Sequence, residues 1–146
     1  MAVSTESTLL YVHGEPLSDA VVAALRSSAE ALGHKDGCSF ATPAELAAYA
    51  APHKGEAADA ECTDVGLALF ALDPWAVVAV DELGIVALQG AFGDQSAMLA
   101  PDKPVEACGY TLVAVPEFAA CLDDQPAKRV AWTRLKAARH PGNPLD

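Results

Sequence analysis

Between Cys62 and Gly93 the chain passes from helical spacing to a continuous apolar run and back, a pattern that few folds accommodate. Val65, Leu69 and Leu72 recur at helical intervals behind Thr63, a residue suited to capping. Asp73-Pro74 ends this helix, because the residue before a proline avoids the α region. Residues 75–80 (WAVVAV) then form the short apolar run that a strand buried on both faces requires. After Asp81-Glu82 the spacing turns helical again at Leu83, Val86, Ala87 and Gly90, with Gly93 as its stop. A doubly buried strand between two helices is the building unit of an α/β domain, and the remaining elements must pack around it.

Those elements follow from the same rules. Residues 9–13 (LLYVH) predict a first strand, turned by Gly14-Glu15-Pro16. Over residues 17–32, Leu17, Val21, Val22, Leu25, Ala29 and Leu32 keep a helical period, and Gly33 supplies the stop. Residues 38–41 predict a short second strand. Thr42-Pro43-Ala44-Glu45 is a capping box with proline at the first helical position, and Pro52 closes the helix it opens. Residues 53–61 read as an acidic connection, and 94–106, with Pro101 and Pro104, as a loop. A further strand over 109–115 is stopped by Pro116, and a short helix follows over 117–122. Pro126 starts a last helix that runs through Arg139, with Val130, Ala131, Leu135 and Ala138 facing the core and His140 to Pro144 ending it. The expected fold is one α/β domain, a three-layer α/β/α sandwich around a small parallel sheet of about four strands, with residues 1–7 frayed.

Composition narrows the class. With 52% hydrophobic and 20% charged residues, the chain has enough apolar surface to fold. Val65 to Val80 is interrupted by Asp73 and Pro74, so no membrane span of roughly 18 apolar residues is expected. The opening MAVSTEST lacks the basic and apolar regions of a signal peptide, which predicts a cytoplasmic protein. Cys38, Cys62, Cys108 and Cys121 are scattered without a C-x-x-C pair, so neither a metal nor another cofactor is expected.

The net charge of −11 speaks against general affinity for nucleic acid. Its distribution is uneven. Five of the nine basic residues (Lys128, Arg129, Arg134, Lys136, Arg139) fall between Ala127 and His140, where there is no acid. The rest of the chain sets four basic residues against twenty acids, hence −16. At about 100° per residue, Lys128, Arg129, Trp132, Lys136 and Arg139 share one arc of the last helix. Such an arc suits a protein partner or a weak nucleic-acid contact; it also suits a solvated helix face whose tryptophan covers the sheet edge.

The candidate catalytic residues are His13, Glu15 and Asp19, at the carboxyl end of the first strand, where open α/β sheets place their sites. A carboxylate there positions a water, or else simply favours the dipole of the helix it precedes. Asp81 and Glu82 carry the same two readings. His34 and His53, each beside a lysine, are expected to be solvated. Gly90-x-x-Gly93 lies at the wrong end of a helix to cradle phosphate.

Taken together, Cys62, Asp73-Pro74, the 76–80 strand AVVAV, the 110–116 segment YTLVAVP and the 128–136 helix KRVAWTRLK resemble the C-terminal half of the uracil-DNA glycosylase superfamily, especially its iron–sulfur (family 4) branch. The 11–16 segment YVHGEP is similar to that family's first strand and the turn after it. The resemblance implies the family's fold, while the departures from its pattern weaken the expectation of its chemistry. Where the family has a catalytic histidine before proline, this chain has Val115, which cannot hydrogen-bond a departing uracil anion. The segments that shape the family's uracil pocket have no counterpart, and Cys62 alone falls on a cluster-ligand position, whereas a [4Fe–4S] cluster needs four thiolates. The expectation is a catalytically degenerate binding or accessory protein of DNA repair or replication. The alternatives are an active enzyme with a site rearranged around His13, Glu15 or Asp19, and a non-enzymatic adaptor subunit.

Overall fold

Among the described residues five strands form one sheet: β1 (Leu9–Val12), β2 (Cys38–Ala41), β3 (Ala76–Ala79), β4 (Val105–Ala107) and β5 (Tyr110–Ala114). The computed structural model describes residues 8–34, 37–50, 64–116 and 118–139. Strand order is β2-β1-β3-β5-β4, with the first four parallel and β4 antiparallel to β5. In register, Leu10 lies beside Val77 and Val77 beside Leu112, so one apolar row crosses the sheet. The helices are α1 (Asp19–Ala31), α2 (Pro43–Ala50), α3 (Asp64–Leu72), α4 (Glu82–Gln89), α5 (Phe118–Cys121) and α6 (Gln125–Leu135).

Alternation along the strands divides the core in two. Leu10, Val12, Val77, Ala79, Leu112 and Ala114 point to one face, where they meet Leu46 and Ala50 of α2, Leu69 and Leu72 of α3, and Ile85 and Leu88 of α4. Leu9, Tyr11, Ala76, Val78 and Val113 point to the other, against Val21 and Leu25 of α1, Phe118 of α5 and Ala131 and Leu135 of α6. The result is the expected three-layer α/β/α sandwich. The expected helix stops and caps are partly visible. Thr42 Oγ1 accepts from the Glu45 amide at 3.1 Å, while Glu45 Oε1 accepts from the Thr42 amide at 3.0 Å, the reciprocal capping box.

Several expectations need correction. The sheet has a fifth strand, because β4 and β5 form a hairpin where a loop was expected. Cys108 and Gly109 turn it with φ of 52° and 89°, the paired positive values of a tight hairpin turn. Asp73 ends α3 in the left-handed region, φ 49°, with its amide donating to Leu69 O at 2.7 Å; it is a left-handed C-terminal cap, not the extended residue expected before proline. On α4 the buried positions are Gly84, Ile85 and Leu88, whereas Leu83 and Val86 stand 51% and 61% exposed. The helix is therefore rotated from the face expected, and it ends at Gly90, with Gly93 opening a 3-10 turn. Val130 is likewise exposed, not core-facing.

His34 is the largest departure. It is 1% exposed, with Nδ1 2.8 Å from Thr8 Oγ1 and Nε2 2.7 Å from the Ala138 carbonyl. A carbonyl only accepts, so Nε2 carries the proton and, in the neutral ring, Nδ1 accepts from the threonine. The expectations for Cys62, Thr63, Pro52, His53, the 53–61 connection, residues 1–7 and the segment after Arg139 lie outside the described residues. No helix among the described residues is long and apolar enough to cross a membrane.

Candidate functional site

In a sheet ordered β2-β1-β3-β5, consecutive crossovers leave β1 in opposite directions, so the carboxyl ends of β1 and β3 flank the switch point where α/β sheets open a crevice. Here that junction is occupied by a side chain of the protein itself. Asp81, directly after β3, caps α4 through the Gly84 amide at 2.8 Å. The same carboxylate reaches across to β1, accepting from Gly14 N at 3.0 and 2.9 Å and from Glu15 N at 2.9 Å. Two backbone amides of the loop after β1 and one from the first turn of α4 thus converge on one anion, in the place where a phosphate or carboxylate ligand commonly sits. Both glycines are required by close approach. A methyl group on Gly14 would land on Leu83 Cβ, and one on Gly84 would lie 2.5 Å from the Val12 carbonyl.

Around this clamp the candidate catalytic residues separate. His13 is half-buried, and its Nδ1–H donates to the Glu15 carbonyl at 2.8 Å, so the ring is held by local backbone and not by either nearby acid. Asp19 is exposed on the first turn of α1, behind the Ser18 cap, as an ordinary helix-start acid. Glu15 lines a cleft. This cleft, of about 400 Å³, lies between the start of α1, the end of β3 and α5, walled by Leu17, Val21, Val80 and Phe118, with Asp81 and Glu82 beside Glu15. Neither His13 nor Asp19 lines it. Its apolar walls were not legible in advance, since Leu17 and Val80 read as ordinary core positions at the end of an element and Phe118 lay in a short helix without an assigned face.

Val115 is 1% exposed, and its amide donates to Ala79 O at 2.8 Å. The described thiols do not suit an iron–sulfur cluster. Cys38 lies on edge strand β2, Cys108 in the hairpin at the opposite edge, and Cys121 on α5. Among the described residues no group of three or more His, Cys, Asp or Glu could hold a metal ion. Burial pushes the thiols of Cys38 and Cys121 up, outweighing the nearby Arg26 and Lys128 cations, so neither is an activated thiolate.

Helix α6 spreads its basic residues over more than one surface. Asp124 caps it, and Pro126 sits in its first turn. Lys128 and Arg129 are exposed, while Trp132 is half-buried against the core. Lys128 and Trp132 border a groove of about 220 Å³ floored by Cys121, Phe118 and Leu135. Arg129 faces a different hollow, shared with Thr133, Arg134 and Asp102. Arg134 pairs with Asp102 at 3.3 Å, but the acid is 88% exposed, so the pair contributes little. The α-helical phase stops at Leu135; Lys136 opens a 3-10 turn, and Arg139 is already extended. No protein-family model and no curated protein matches this chain.

Proposed function

We propose that this chain is a binding or accessory protein built on a catalytically degenerate uracil-DNA glycosylase-like fold, serving DNA repair or replication through contacts made by α6. The observation that carries the reading is the Asp81 clamp. The protein's own carboxylate takes three amides at the switch-point crevice, where a substrate group would otherwise be held. Val115 supports it too, because a buried valine offers a departing base no hydrogen bond. The recognition surface then falls to α6, whose exposed Lys128 and Arg129 stand out against an otherwise acidic chain.

Two measurements test this. Excess protein incubated with uracil-containing single- and double-stranded DNA should release no base; an abasic product abolished by Glu15→Ala would establish instead an enzyme with a rearranged site. Charge reversal by Lys128→Glu with Arg129→Glu should weaken binding to single-stranded DNA or to an acidic partner segment. That binding should be weak, salt-sensitive and indifferent to base sequence, because phosphate contacts carry no base information. Binding unchanged by the reversal would remove α6 from the account.

A further inference from the structure

We propose that the cleft between α1, β3 and α5 is a binding site for a small amphipathic cation, an ammonium group carrying an aryl or short alkyl body. The proposal does not depend on the α6 contact. It rests on what lines the cleft. Its walls are apolar and firmly packed, with Val21 and Val80 at 3% exposure and Phe118 at 5%. Its volume of about 400 Å³ lies in the range of small-molecule pockets. Every charged group that lines it is a carboxylate: Glu15, Asp81 and Glu82.

The three acids play different parts. Asp81 is committed, since its oxygens accept from Gly14, Glu15 and Gly84. It also neutralises the amino end of α4, as Asp19 does in the first turn of α1, so that neither helix dipole is left to attract an anion here. Glu15 and Glu82 are exposed and make no ion pair among the described residues, so two carboxylates remain for a ligand. An anionic ligand would meet three like charges with no compensating lysine or arginine in the lining. A neutral apolar ligand would leave both free acids unused. A cation with an apolar body matches both halves: its ring or chain replaces water against Leu17, Val21 and Phe118, and its ammonium faces the acidic rim.

The test is a titration of the full chain with 2-phenylethylammonium, followed by amide shifts in NMR and by calorimetry, with 3-phenylpropionate as the isosteric anion. The cation is expected to move the amides of residues 15–21, 80–82 and 118–120, and the anion to leave them in place. Glu15→Gln with Glu82→Gln should weaken binding about tenfold, given roughly two- to fivefold for each partly exposed pair. Val21→Phe should fill the cleft and abolish binding. Should that core variant fail to fold, Ala120→Phe, at an exposed position of the rim, serves the same purpose. Equal binding of the anion, no binding of the cation at millimolar concentration, or indifference to both the glutamine and the filling variants would each overturn the proposal. Lys128→Glu with Arg129→Glu should leave this titration unchanged, which separates its failure from failure of the α6 reading.

Discussion

Both carboxylate oxygens of Asp81 accept from the single backbone amide of Gly14, at 3.0 and 2.9 Å, across 67 residues of sequence. The bond ties the loop after β1 to the helix after β3, and the Gly84 amide completes the cap of α4. Asp81→Ala removes a helix cap and a charge-assisted bond between loops at once. The expected cost is about 2–5 kcal/mol, combining roughly 0.5–2 for a cap with 1.5–3 for a bond to a charged group. Asp81→Asn keeps one acceptor and should lose about half as much. Urea unfolding of both variants checks this, and a loss below about 0.5 kcal/mol for the alanine variant would show that the clamp contributes nothing beyond an ordinary surface residue.

Gly14 and Leu83 are coupled by space. Because a methyl group on Gly14 would fall on Leu83 Cβ, Gly14→Ala should destabilise the fold by about 1–3 kcal/mol, as overpacking does. Leu83→Ala alone should be nearly neutral, since its side chain is half exposed. Shortening Leu83 keeps its Cβ, so the double variant should recover only part of the loss, whereas Leu83→Gly should recover more. A double-mutant cycle reads the coupling directly, and strict additivity would exclude the contact.

His34 fastens the start of β1 to the end of the 3-10 turn Lys136–Ala138, through Thr8 Oγ1 and the Ala138 carbonyl. His34→Ala leaves a void, an unpaired carbonyl and a part-buried hydroxyl that loses its partner, for an expected loss of about 2–4 kcal/mol. His34→Gln, which can still donate to the carbonyl, should recover part of it. Equal stability of the alanine variant would mean that this end of the fold is held by other contacts.

How far these features could be read in advance depends on the range of the interaction. The four parallel strands and the Thr42–Glu45 box were legible because apolar runs and caps are local. The orientation of α4 was not. Leu83, Val86, Ala87 and Gly90 keep a helical spacing as regular as that of Gly84, Ile85 and Leu88, and only the approach of Gly84 to the Val12 carbonyl selects the second face. The β4–β5 hairpin was hidden by Pro101 and Pro104, and by a Cys108-Gly109 turn in place of the usual asparagine-glycine. At the candidate site the acids could be found as residue types, but their roles could not. Which of His13, Glu15, Asp19 and Asp81 reaches the crevice depends on loops that meet only in the folded sheet.

The rotation of α4 gives a direct contrast. Val86→Lys, on the exposed face, should change stability by less than about 0.5 kcal/mol, whereas Ile85→Ala, one residue away, should cost about 2–4 kcal/mol. Unfolding midpoints of the two variants suffice, and a reversal of the order would place the core on the other side of the helix.

The last expectation concerns alkaline pH. Tyr110 is 6% exposed, and its hydroxyl donates to Asp73 Oδ1 at 3.1 Å. Burial first, then the bond to that carboxylate and its charge, hold the phenol well above its usual range. Tyr11, wholly buried with its hydroxyl donating to Leu25 O at 2.8 Å, is raised mainly by burial. The folded protein therefore keeps two protons that the unfolded chain releases above about pH 10. Stability from both groups is complete below that pH and is lost as the pH rises above it, by roughly 1.4 kcal/mol per phenol for each further unit. The raised thiols of Cys38 and Cys121 should start the decline near pH 9, the ordinary range of a thiol. Tyr110→Phe should lower stability at neutral pH by about 0.5–1.5 kcal/mol, through loss of the Asp73 bond, and should make the decline above about pH 10 shallower by one phenol's share. Urea midpoints measured from about pH 7 to 11 decide between the cases: an identical slope in wild type and Tyr110→Phe would mean that the buried phenol does not govern the alkaline limit.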